Sequence, residues 1–155
     1  MKNKDVIYMR EAIILAENAA FLGEIPVGAV VVDGNGEIIA KAYNLRETEK
    51  KATAHAEILA IEQACKALGG WRLQGCTLYV TLEPCPMCAG ALVNSRIDRV
   101  VFGAYDMQAG CCGSVVNFNA YPFNHAFEIE GGILERECRD LLQSFFIKKR
   151  NDNFI

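Results

Sequence analysis

The stretch "TAHAEI" sets His55 and Glu57 two positions apart in an apolar run, and "EPCPMC" sets Cys85 and Cys88 three apart. Imidazole nitrogen and thiolate sulfur are preferred zinc ligands, and zinc takes four of them in a structural site or three plus water in a catalytic one. The chain has only two histidines and no second C-x-x-C pair, which argues against a four-cysteine structural site. His55, Cys85 and Cys88 would leave one position for water, whose pKa zinc lowers towards ~7. Glu57 then has a role as a carboxylate beside the metal that moves protons without being a ligand. Taken singly, each feature has a plainer reading. A lone histidine in an apolar helix is usually a core side chain, a lone C-x-x-C is as often a redox pair or an accident, and a lone glutamate usually sits on the surface. Their combination points to a catalytic metal centre.

Such a centre needs elements that bring the two motifs together. Cys85 and Cys88 follow the strand-like "CTLYVTL" and open a short helix from Pro86 to Asn94, with proline in the first turn, where its missing N–H costs nothing. A helix N-terminus favours negative charge and so supplies thiolate. Thr53 is placed to cap a helix from about 54 to 68, closed by Gly69 and Gly70. Residues i and i+2 do not share a helical face, so His55 and Glu57 can flank one metal only if it lies off the helix end.

Around these, apolar residues at near-helical spacing predict a helix over 5–22, stopped at Gly23. "PVGAVVVD", the turn "DGNG" and "EIIAKAYN" predict a hairpin. "DRVVFGA" predicts a further strand, a weak strand falls near 127–129, and an amphipathic helix follows over about 133–148. Five strands alternating with helices, the first two antiparallel, predict a layered α/β domain on a mixed sheet.

The chain of 155 residues is one domain, 1–155, without repeats or linkers. Its hydrophobic fraction of 52% and mean hydropathy of +0.12 suffice for a core without disulfides. No apolar run reaches the ~18 residues of a membrane span, and the start resembles no signal peptide. A cytoplasmic protein is expected, and seven cysteines then read as free thiols or metal ligands. Cys65, Cys76 and Cys138 read as small core side chains. The net charge of −3 announces no nucleic-acid binder, yet an RNA site needs only a local basic patch. Phe145 and Phe146, followed by Lys148, Lys149 and Arg150, supply a candidate, against the plainer reading of core plus solvated tail.

H-x-E followed by P-C-x-x-C is the signature of zinc nucleobase deaminases. With "GEIPVGAVVV", "AYN", "TLEPCPMCAGALVNSRIDRVVFGAYD", "GSV", the loop Pro122–His125 and "FF" before basic residues, the chain resembles, nearly end to end, the bacterial tRNA-specific adenosine deaminases of the cytidine-deaminase-like superfamily. The resemblance implies a three-layer α/β/α fold with a central mixed five-stranded sheet. It also implies hydrolytic deamination of a wobble adenosine in a tRNA anticodon stem-loop to inosine, one Zn2+ per subunit, and a homodimer. His55, Cys85 and Cys88 match the family's ligands, and Glu57 matches its proton shuttle. Asn44 matches the asparagine aimed at the base, and Val27, Ala56 and Leu82 fall in the base pocket. Asp106, Asn124, Phe145, Phe146, Lys149 and Arg150 are carried over as substrate contacts. Two departures lie in "DMQAGCCGS": Gln108 stands where a basic residue is common, and Cys111 and Cys112 where small residues are usual.

Overall fold

Strands without a polar face can be buried on both sides if alternate residues feed two separate cores. In the computed structural model, which describes residues 2–152, the order is α1 (Lys2–Phe21), β1 (Gly28–Val32), β2 (Ile38–Tyr43), α2 (Arg46–Glu49), α3 (Ala56–Leu68), β3 (Thr77–Leu82), α4 (Pro86–Asn94), β4 (Arg99–Ala104), a 3-10 turn (Phe118–Ala120), β5 (Glu128–Gly131) and α5 (Glu135–Asp152). The strands form one sheet in the order β2-β1-β3-β4-β5. β1 is antiparallel to both β2 and β3, while β3, β4 and β5 are mutually parallel. Ala29, Val31, Leu78, Val80, Val100 and Phe102 pack against α3 and α4. The intervening Val30, Tyr79 and Val101 pack against Met9 and Ala12 of α1 and Cys138 of α5. The expected three-layer α/β/α fold with a mixed five-stranded sheet is the fold observed.

Local chemistry sets the element ends. Gly23 is left-handed (φ 83°), and the bonds from Gly23 N to Ala20 O and from Glu24 N to Ala19 O close α1 in a Schellman motif. Gly69 and Gly70 close α3 by the same pair of bonds, to Lys66 O and Cys65 O. Asp33 Oδ1 accepts from the N–H groups of Asn35 and Glu37 and holds the β1–β2 turn. Gly28 admits α1 against the sheet, since a Cβ there would lie 2.0 Å from Ala12 O.

Several expectations are corrected. The N-cap of α3 is His55, with an extended backbone and no side-chain cap bond, so Thr53 does not cap it. Cys65 is only half-buried, while Cys76 and Cys138 lie in the core. The last helix begins and ends later than expected, and neither α2 nor the 3-10 turn was foreseen. Among the described residues, no helix is long and apolar enough to cross a membrane.

Candidate active site

The sheet topology delivers the chemistry to one edge. Because β1 runs against β2 and β3, the start of β1 and the ends of β2, β3 and β4 share that edge. The N-termini of α3 and α4 also meet there, and their positive ends favour anionic ligands. His55 and Cys85 are both N-cap residues with extended backbones. His55 Nδ1 lies 3.6 Å from Cys85 Sγ and 3.5 Å from Cys88 Sγ. The three ligand atoms fall within 4.8 Å of one another, close enough to hold one metal ion. Glu57 joins the group because His55 precedes the helix proper, so the helical i, i+2 divergence does not apply to the pair.

Electrostatics fit that donor set. A hydrogen bond from Cys88, opposed by burial and supported by His55, holds the Cys85 thiol down to about 4. The Cys88 thiol is driven up by sharing its proton with Cys85 and by burial. The hydrogen bond with Cys85 raises His55. A divalent cation would take the place of the thiol proton, since a coordinating thiol is deprotonated outright. Burial pushes the Glu57 carboxyl up to about 7, so the group can hold or release a proton near neutrality.

The cavity beside these groups spans about 580 Å³ including its open mouth. Val27, Ala56 and Leu82 supply apolar wall, and Asn44, Glu57, Cys85 and Asp106 supply polar groups. Asn44 is buried, with Nδ2 donating to Ile25 O at 3.2 Å and Oδ1 accepting from Arg46 N at 3.2 Å. That leaves the amide one N–H and one lone pair for a ligand. Asp106 turns Oδ1 onto its own loop, accepting from the N–H groups of Gln108 and Ala109.

A groove continues from the cavity, sharing Ile25, Asn44 and Arg46 with it and lined further by Phe145, Phe146 and Lys149 of α5. Phe145 is half-buried and Phe146 is 45% exposed. Arg150 lies on a further face of α5 beside Gln143, Phe146, Ile147 and Lys149. Asn124 is not brought to the cavity. It is exposed, and its neighbour His125 binds Ile97 O at 2.6 Å, just before β4, at the opposite edge of the sheet from the site.

Three contributors escaped sequence reasoning. Arg46 stands exposed where cavity and groove meet. Glu24 and Glu83, each 1% exposed, are the described residues' only buried glutamates besides Glu57. Glu24 accepts from Glu47 N, Thr48 N and Thr48 Oγ1, at 3.1, 2.7 and 2.6 Å, and so anchors α2. Burial raises its carboxyl, but these bonds and the charge of Lys149 outweigh that and hold it below the usual range. The available signal was a glutamate set among glycine, proline and apolar residues, in "GEIP" and "LEPC".

The MafB19-like deaminase family model matches residues 3–154. A tRNA-specific adenosine deaminase of Bacillus subtilis (strain 168) is 57% identical over 148 residues, covering 95% of this chain and 91% of that protein. This chain belongs to the tRNA-specific adenosine deaminase family. Its fold agrees with that of a solved protein from a study of A-to-I editing by tRNA:A34 deaminases at the wobble position, with a TM-score of 0.84 and 43% identity over 87% of this chain and 98% of that one. A guanine deaminase of Bacillus subtilis is 42% identical, but over only 64% of this chain and 63% of its own, with a TM-score of 0.61. The similarity to the Bacillus subtilis tRNA-specific adenosine deaminase covers 95% of this chain, whereas that to the guanine deaminase leaves about a third of each chain unmatched.

Proposed function

We propose that the protein is a zinc-dependent hydrolase that converts the wobble adenosine of a tRNA anticodon to inosine and releases ammonia. The observation that carries this reading is the meeting of His55 Nδ1 with the Cys85 and Cys88 sulfurs, beside buried Glu57, in one cavity. Two thiolates and an imidazole suit zinc, and three protein ligands leave a position for water. Zinc held there would act as a Lewis acid and make that water nucleophilic at neutral pH.

The chain's own residues account for the remainder. Water adds to C6 of adenine, and Glu57 carries one of its protons to N1. Glu57 then takes the proton of the added hydroxyl and passes it to the amine as the C6–N6 bond breaks, so C6 keeps the oxygen as a carbonyl and ammonia leaves. Val27, Ala56 and Leu82 receive the two faces of the extruded base, and Asn44 offers its free N–H and lone pair to the base edge. Asp106 closes the rim. Phe145 and Phe146 offer stacking surfaces, and Arg46, Lys149 and Arg150 offer charge to the phosphates of the anticodon loop.

A cytoplasmic location and a homodimer with one zinc per subunit belong to the same reading, and the solution mass against the 17.1 kDa of one chain tests the dimer. Asn124 has no place in the chain's own cavity under this reading. The reading is tested by offering zinc-loaded protein an anticodon stem-loop, free guanine and cytidine side by side. Inosine should form in the stem-loop alone, and ammonia from guanine with the RNA untouched would favour a free-base deaminase.

A further inference from the structure

Glu83 is a buried carboxylate that the chemistry above does not use. It directly follows β3, two residues before Cys85, yet every bond of its carboxylate goes to the loop after β4. Oε1 accepts from Asp106 N at 3.0 Å and from Ser114 Oγ, and Oε2 accepts from Cys112 N and Ser114 N, each at 3.0 Å. Gly110 lies flat on the same group, where a Cβ would fall 2.3 Å from the Glu83 carboxyl carbon. Main-chain bonds join the same two segments, from Glu83 N to Ala104 O and from Cys111 N to Pro84 O, both 2.9 Å. This loop carries Asp106 and Ala109 to the cavity wall.

We infer that Glu83 is a positioning residue that locks the substrate-facing loop Asp106–Ser114 in register with the turn bearing Cys85. Glu83 also borders the cavity, but with four donors converging on its two oxygens the carboxylate has no lone pair left for a ligand, so it acts through the loop. Glutamate is needed because three of the four donors are main-chain N–H groups, which cannot accept: glutamine at this site would turn an NH2 towards at least one of them, and an unsatisfied buried donor is costly. A loosened loop would cost substrate affinity and leave the proton chemistry of Glu57 intact.

This inference rests on the proposed deamination for its kinetic readout, so the test adds one that does not. Glu83→Gln and Ser114→Ala are compared with the wild type by amide hydrogen exchange, zinc content and steady-state deamination of an anticodon stem-loop. In Glu83→Gln the Cys112 and Ser114 amides should exchange at least about tenfold faster, with β3 and β4 still protected. Zinc content should be unchanged, and KM should rise about tenfold with kcat within about twofold. Ser114→Ala, which removes one donor of four and leaves the core alone, should shift KM about threefold the same way. Unchanged loop exchange would overturn the lock. Faster exchange with an unchanged KM in Ser114→Ala would overturn the positioning role, as would loss of zinc in Glu83→Gln with Ser114→Ala at the wild-type KM. Wild-type protein that forms no inosine would instead overturn the proposed function, while the exchange data would still decide the lock.

Discussion

His55 Nδ1 lies 3.5 Å from the sulfur of Cys88, a residue 33 positions further along the chain. A strand separates them: α3 runs away from the site, β3 returns to the same edge, and α4 starts there. The metal-competent cluster is thus a consequence of sheet direction, since a helix and the following strand of an α/β unit bring their opposite ends together.

Glu57 should be separable from the metal. Glu57→Gln keeps size and removes the carboxylate, and loss of a positioned proton carrier lowers kcat by about 10²–10⁴. Zinc measured by atomic emission should stay at the wild-type amount. Loss of zinc with the variant would make Glu57 a ligand. Cys88→Ser, in contrast, should lose metal and activity together.

The acid limb of the stability curve should belong largely to Asp5. Burial raises this carboxyl, but hydrogen bonds from Arg99 and Tyr79 and the Arg99 charge outweigh it and hold it below its ordinary 3.8. Arg99 donates to both Asp5 oxygens, at 2.7 and 2.9 Å, and Tyr79 donates at 2.8 Å. A lowered native pKa means stabilisation that is complete above the unfolded value and is lost as pH falls through the native one. Asp5→Asn should destabilise the protein at pH 7 by about 3 kcal/mol, since breaking a buried pair strands the partner charge. Urea titrations of the two proteins should converge towards pH 2; a constant gap across pH would remove Asp5 from that role.

Lys149 and Arg46 should act on RNA affinity through charge alone. Each Ala variant should weaken stem-loop binding and reduce the slope of log K against log salt by about 0.7, the value for one phosphate on a single strand. Fluorescence anisotropy at several salt concentrations measures this. An unchanged slope would place that side chain off the RNA.

Phe145 and Phe146 should divide their effects. Phe146, 45% exposed, should lose about 1–3 kcal/mol of stem-loop binding on substitution by Ala, as stacked bases do, with little change in melting temperature. Half-buried Phe145 should lose stability as well. Equal losses of stability in both variants, with binding unchanged, would make the pair packing residues only.

Much of this was legible in residue types. Motif chemistry named His55, Glu57, Cys85 and Cys88, and the glycines after α1 and α3 end their helices as read, because left-handed caps depend on one residue. The strand β1 reads as an unbroken apolar run, so its division between two cores needed the helices in place. α2, with the sequence RETE, has no apolar periodicity; it is held by Glu24, 22 residues before its start, and no local pattern signals such a bond. Asn124 was carried from a motif match alone, and the direction of its loop depends on His125 reaching Ile97, a tertiary contact.

The most direct test of the central claim is inosine mapping on total tRNA and on an anticodon stem-loop, before and after incubation with zinc-loaded protein. Adenosine at the wobble position should become inosine with matching release of ammonia, neighbouring adenosines should persist, and the Glu57→Gln protein should leave the RNA unchanged. Intact, metal-loaded protein that leaves every wobble adenosine unconverted would contradict the account.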